Sequence, residues 1–154
     1  MPRPPAPPFP EDAYRLLPKA ELHLHLEGTV GPAAILALCE RWRVAPPAPD
    51  EDGIRAWLRY GGFDDFLARY LFICRLLRDA SDFERAAHDY LLEAHRQGAV
   101  HVDFHISASI HCLLNDLPWG WILHGADAGC LRAEREFGIT ASLIPDVSAK
   151  FGLA

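Results

Sequence analysis

Leu17-Pro18-Lys19-Ala20-Glu21-Leu22-His23-Leu24-His25-Leu26-Glu27-Gly28-Thr29 decides how the rest of the chain is read. From Glu21 to Glu27 polar and apolar residues alternate with a period of two, the pattern of a β-strand. That alternation puts Leu22, Leu24 and Leu26 on one face and Glu21, His23, His25 and Glu27 on the other. Residues two apart on a strand are separated by about 6.6 to 6.8 Å along it, so two imidazoles on one face reach one metal ion together. The leucine face calls for apolar cover, which helices outside a parallel barrel supply, and the histidine face then looks into the barrel. Gly28 and Thr29 end the strand at its C-terminal end, the end of a barrel strand where active-site loops gather. For an isolated His-x-His, a half-exposed antiparallel strand with two solvated histidines is the better fit. The flanking residues bear on the choice.

Composition narrows the function classes. Half of the 154 residues are hydrophobic and 23% are charged, and 15 basic against 21 acidic side chains leave a net charge of -6, the profile of a soluble globular chain. No basic run appears, which argues against tracking a nucleic-acid backbone or an anionic membrane. No apolar stretch is long enough to span a bilayer, and residues 1 to 16 lack the apolar centre of a signal peptide, so the expected location is cytoplasmic. Cys39, Cys74, Cys112 and Cys130 form no Cys-x-x-Cys pair. Buried free thiols are expected, and the zinc deaminase design built on His-x-Glu with Pro-Cys-x-x-Cys is excluded.

The segment from Leu17 to Thr29 closely resembles the opening motif of the adenosine deaminase family, a branch of the amidohydrolase superfamily. The likeness continues through Phe63-Asp64-Asp65-Phe66-Leu67, Asp82-Phe83, Tyr90-Leu91 and the strand from Val100 towards His111. The resemblance implies a zinc-dependent hydrolase that removes the amino group from an adenine-type base. It implies one Zn2+ per complete site with His23 and His25 as ligands, a small purine as substrate, and Glu27 and Gly28 beside the substrate-binding mouth. It also implies a glutamate and an arginine where this chain has Asp103 and His105, so these two inherit no role. Zinc would lower the pKa of a bound water from about 15.7 toward 7, and the resulting hydroxide would attack the carbon that bears the amino group.

In chain order, residues 1 to 16 are a proline-rich tail, of which residues 1 to 10 read as extended and poorly ordered, and the fold begins near Tyr14. Residues 17 to 154 form the domain. Pro32 suits the first position of a helix carrying Ile35, Leu36, Cys39 and Trp42 to about Arg43. Asp52 caps a short helix to Tyr60, and a longer one runs from Asp64 to Arg78 with Phe66, Leu67, Tyr70, Leu71, Cys74 and Leu77 as an ordinary core stripe. Ser81 and Glu84 read as a capping box for a helix stopped by Gly98. His88 and His95 on that helix read as solvated. A second strand runs from Val100 to Ile106 with His101, Asp103 and His105 on one face, where hydrogen bonding among themselves is favoured over a second metal site. Pro118 opens a helix to about Phe137, and Ile139 to Ile144 is a third strand.

The fold expected is α/β: the first three strand-helix units of a TIM (β/α)8-type barrel, with extra helices between the first two strands. A whole barrel takes roughly 250 residues and a catalytic zinc at least three protein ligands, so this chain reads as the first part of a site. The general acid is expected beyond residue 154. His124-Gly125-Ala126-Asp127 is rejected for that role because it falls within a helix of the outer layer. Three readings follow: a deaminase carrying part of its site, a shortened inactive chain that works by association through unpaired barrel edges, and a non-catalytic metal-binding domain using His23, His25 and Asp103 or His105.

Overall fold

The computed structural model describes residues 10–147. Eleven elements follow one another: helix α1 (Glu11–Leu16), strand β1 (Lys19–His25), a 3-10 turn (Leu26–Thr29), helices α2 (Pro32–Trp42), α3 (Glu51–Trp57), α4 (Phe63–Leu76) and α5 (Ala80–Arg96), strand β2 (Ala99–Ile106), helices α6 (Ala108–Asn115) and α7 (Trp119–Phe137), and strand β3 (Thr140–Pro145). The strands form one parallel sheet in the order β1-β2-β3. This is the expected α/β start of a barrel, with four helices between the first two strands. Two points of the sequence reading shift. Residues 11–16, placed in the tail, form α1, whereas residues 1–9 lie outside the described part. Helix α6, which directly follows β2, was not anticipated.

The core lies between the sheet and its helices. Val102, Phe104 and Ile106 of β2 are fully buried, as are Phe83, Ala87 and Leu91 of α5 and Ile122, Ala126 and Ala133 of α7. Alternation in β2 makes this possible, since every second residue meets the helical layer. Helices α5 and α7 pack closely because α7 carries glycine where the axes approach. A Cβ on Gly125 would lie 2.2 Å from the Ala80 carbonyl oxygen, and one on Gly129 would lie 2.3 Å from that of Glu84. Side chains there would force the helices apart.

Capping differs in detail from the sequence reading. The box at the start of α5 is made by Asp79 and Asp82, two residues upstream of the Ser81–Glu84 pair. Asp82 also receives Arg41 at 2.7 Å and the Trp42 indole at 3.2 Å, tying α2 to α5. The cap of α3 is Asp50, not Asp52, accepting from the Gly53 amide at 2.8 Å. His88 is buried, not solvated: Glu136 of α7 lies 2.8 Å from its Nε2. His95 is exposed, as expected, and stacks on Phe137 with ring centroids 5.8 Å apart. In both cases the pairing comes from a helix far away in sequence, which single-helix periodicity does not contain.

Strand β1 is irregular. Glu21 pairs with Val102 and Leu24 with Phe104, so three steps on β1 oppose two on β2. His23 has φ 67, in the left-handed region. This is a bulge of one extra residue, and each bulge flips the face on which the following side chains emerge. Glu21 therefore emerges on the helical side and accepts a hydrogen bond from the Tyr90 hydroxyl of α5. His25 pairs with His105 and shares its side of the sheet. The expectation that Glu21, His23, His25 and Glu27 share one face of an unbroken strand is thus corrected twice. The bulge removes Glu21 from that face, and the 3-10 turn removes Glu27.

Candidate functional site

The C-terminal ends of β1 and β2 place three imidazoles together on the face away from α5 and α7. The His23 and His25 ring centroids are 5.8 Å apart with planes at 67°. His105 stacks on His23 at 4.2 Å and lies 5.5 Å from His25. The bulge achieves this, because the left-handed turn at His23 swings its ring over His105.

His25 Nδ1 is buried and has no hydrogen-bond partner, the nearest carboxylate oxygen being Oδ2 of Asp146 at 3.8 Å. A buried ring nitrogen without a partner is costly unless something else occupies its lone pair or proton. Imidazole nitrogens are standard zinc ligands, so the donor types of His23 and His25 fit that ion. Among the described residues no group of three or more His, Cys, Asp or Glu side chains is arranged to hold a metal. Two imidazoles fit, and a complete site needs more.

Asp103 turns to its own strand and the next. His101 Nε2 is 3.0 Å from Asp103 Oδ1, its Nδ1 is 2.7 Å from the Thr140 hydroxyl, and Ser142 lies 3.3 Å away. Hydrogen bonds from His101 and Ser142 hold the Asp103 carboxyl below the ordinary carboxylate range. Mutual hydrogen bonding therefore accounts for Asp103. His105 instead joins the histidine group.

Beside His25 a cleft of about 330 Å³ is lined by Leu24, His25, Gly28, Phe66, Leu67, Tyr70 and Ser107. Phe66 and Leu67 are each 37% exposed. Three members of the presumed core stripe of α4 thus line an opening, while Ile73, Cys74 and Leu76 fill the core further along the helix. The Phe66 and Tyr70 rings run nearly parallel, 6.0 Å apart at 28°. Tyr70 meets His25 edge-on at 6.2 Å. Nothing lies within 4 Å of where a Gly28 side chain would begin, so the backbone there is open to an approaching ligand.

Glu27 is next to the cleft and closed off from it. Its side chain is fully buried. Oε1 accepts the Ser107 amide at 2.8 Å and His111 Nε2 at 2.9 Å, and Oε2 accepts the Tyr70 hydroxyl at 2.9 Å. Burial opposes its charge, yet the hydrogen bond and charge of His111 together with backbone amides outweigh burial and hold the carboxyl below its ordinary value. Burial and the neighbouring Glu27 charge push the Tyr70 phenol far up. The Ser107 hydroxyl, 2.9 Å from Tyr70 Oη and 3.3 Å from Asp146 Oδ2, extends this chain of hydrogen bonds toward His25. Tyr70, Ser107 and Asp146 were not singled out from sequence. An aromatic at helical spacing gave no sign that it faced a cleft, and Ser107 becomes relevant only through helix α6, whose His111 reaches back to Glu27.

The rejected string His124-Gly125-Ala126-Asp127 lies within α7, on the outer layer. No helix among the described residues is long and apolar enough to cross a membrane.

The family model described as adenosine deaminase matches residues 18–150. An aminodeoxyfutalosine deaminase from Acidothermus cellulolyticus is 36% identical over 130 residues, covering 84% of this chain and 36% of that protein. An adenine deaminase from Aspergillus oryzae is 40% identical over 133 residues, covering 83% of this chain and 38% of its own length. Among solved structures, an adenine deaminase from Arthrobacter aurescens superposes with TM-score 0.74 at 28% identity, over 82% of this chain and 38% of that one. An amidohydrolase from Burkholderia ambifaria with bound Zn does so with TM-score 0.74 at 28% identity, over 86% and 36%. The chain thus spans less than two fifths of the length of each of these proteins.

Proposed function

The chain belongs to the adenosine deaminase family, and from that premise we propose that it supplies part of the site of a zinc-dependent hydrolase that removes the amino group from an adenine-type base. The observation that carries this reading is the pairing of His23 and His25 rings, 5.8 Å apart, with an aromatic-walled cleft that includes His25 itself. His23 and His25 would hold the metal as neutral imidazoles through ring nitrogens. A bound zinc supplies hydroxide at neutral pH by lowering the pKa of its water to about 7.

The chain's remaining contributions concern the base. Phe66 and Tyr70 offer ring faces to a planar heterocycle, Leu67 and Leu24 exclude water beside it, and Gly28 lets it approach the backbone. Glu27 takes part in binding through the residues it holds. Zinc needs at least three protein ligands at a catalytic site, so the other ligands and the proton donor to the ring would come from outside the described residues. The unpaired outer edges of β1 and β3 are templates for a further strand, and self-association through them accompanies this reading. Size-exclusion chromatography yielding only a 17.2 kDa species would remove that part.

The test is elemental analysis coupled to ammonia release from adenine and adenosine. About one zinc per site, with metal lost in His23→Ala and His25→Ala, supports the reading. The specific alternative is the three-histidine group with His105 as a metal-binding module. It is favoured if the metal binds and His105→Ala releases it, while no ammonia forms even after the chain associates.

A further inference from the structure

We propose that His105 is a positioning residue of the metal site: its ring face, stacked against His23, fixes the plane in which His23 meets the ion, and His105 itself supplies no ligand. This rests on the reading of His23 and His25 as zinc ligands and adds what the third histidine of the group does.

A metal ion bound to an imidazole nitrogen lies in the plane of that ring, for zinc about 2.0–2.1 Å from the nitrogen. Two rings that share an ion therefore have planes that meet at it. His23 and His25 suit this, with centroids 5.8 Å apart and planes crossing at 67°. His23 and His105 do not. Their planes are only 30° apart and their centroids 4.2 Å apart. At that distance two nearly parallel rings cannot lie edge to edge without their atoms overlapping, so one lies over the face of the other. An ion in the plane of His23 then sits off the plane of His105, where that ring offers π-electrons and no lone pair. The two exclude each other as ligands of one ion.

His105 also lies 5.5 Å from His25 with planes at 37°, a spacing that one ion can bridge, and the backbone decides between His23 and His105. His25 and His105 are direct partners across β1 and β2, and His105 pairs in unbroken register with Ile144 of β3. Side chains of such neighbours run side by side and do not converge. His23 has φ 67, a left-handed backbone that a residue with a Cβ keeps only where its surroundings hold it. What its ring meets there is the His105 face, and aromatic faces attract one another when stacked with an offset. Backbone strain of this kind is retained where it aims a side chain. Without the stack the His23 ring is free to turn, and the ion loses a fixed donor.

Phenylalanine keeps the ring face and removes both nitrogens, so it separates stacking from ligation. The experiment is zinc titration of the full chain against a competing chelator, for wild type, His105→Phe, His105→Ala and His23→Phe, with circular dichroism to follow folding. NMR of the His23 ring protons in the zinc-free wild type, in buffer and in urea, accompanies it. The expected result is that His105→Phe binds zinc as the wild type does and His23→Phe loses binding. His105→Ala weakens it about tenfold, the scale for a residue that orients a ligand. In the folded wild type the neighbouring ring shifts the His23 ring protons upfield. Loss of zinc from His105→Phe as complete as from His23→Phe makes His105 a ligand and overturns the inference, with the zinc reading intact. An unchanged affinity in a folded His105→Ala overturns it too. His23 ring protons that stay at their unfolded position show that no stack forms, and overturn it even if no variant folds. A wild type that takes up no zinc sinks the zinc reading and this inference together.

Discussion

Within five residues at the end of β1, imidazoles and a carboxylate meet two opposite fates. Glu27 is fully buried and takes three hydrogen bonds, from β2's end, from α4 and from α6. His25, two residues earlier, keeps a buried Nδ1 with no partner, and His23 stacks on another imidazole. The first set is nearly closed, since Glu27 accepts three donors and only His111 Nδ1, also buried, is left without a partner, and its effect is to hold the ends of β1, β2, α4 and α6 in place. The second set is open. Polar groups that a fold leaves unsatisfied near a cleft mark where a ligand is expected, whereas satisfied ones mark where the scaffold is joined. The contrast assigns stability to Glu27 and to the Nε2 side of His111, which does not line the cleft, and ligand binding to His23 and His25.

The sharpest way to break that contrast is to empty the closed set. Glu27→Ala leaves the Ser107 amide and His111 Nε2 without an acceptor and costs the Tyr70 hydroxyl its carboxylate partner, and the expected loss is about 3–5 kcal/mol in urea unfolding. A loss under about 1 kcal/mol would show that the carboxylate does not join the elements. Next in size is the α5–α7 contact, which has no polar component. Gly125→Ala is expected to cost about 1–3 kcal/mol by overpacking against Ala80, read as a lower thermal midpoint, and no loss would mean that the helices slide apart freely.

A second closed set tests the same idea by pH. At Asp79 burial opposes the charge, but the Ser81 hydrogen bond and the Arg41 guanidinium outweigh it and hold the carboxyl below its ordinary value. Because the folded value is depressed, this stabilisation is present above the unfolded value of about 3.9 and disappears as pH falls through the folded value. Asp79→Ala, expected to cost about 1 kcal/mol as a lost cap at pH 7, should therefore match the wild type more closely in acid. A gap that widens below pH 4 would contradict the assignment. The smallest expected effect belongs to the open set: His23→Ala should change unfolding free energy by no more than about 0.5 kcal/mol and still abolish zinc binding in a metal titration. A large stability loss without change in metal binding would move His23 into the closed class.

How much of this was legible in the sequence follows the range of each interaction. Helices α2, α4, α5 and α7 and the three strands are found within a few residues of their expected bounds, since periodicity and breakers act locally. The histidine pair was legible as a motif, but the route by which the rings meet was not. Alternation presumes a regular strand, and a bulge at His23 is set by pairing with β2, some 80 positions along the chain.

The same limit explains Glu27, His88 and the α4 stripe. Glu27 reads as a carboxylate on the histidine face, beside the mouth, until α6 brings His111 against it. His88 looks solvated until α7 supplies Glu136. Phe66, Leu67 and Tyr70 look like core, yet among the described residues they line a cleft.

By itself the sequence determined the order of elements, the parallel α/β layering and the two imidazoles at the end of the first strand. These depend on propensity, on periods of two and 3.6, and on one short motif. Only the tertiary structure decided which polar groups are satisfied. Hydrogen bonds such as those of Glu27, between residues 43 to 84 positions apart, depend on how the helices seat against the sheet, and that seating fixes whether a carboxylate faces a ligand or the protein's own amides.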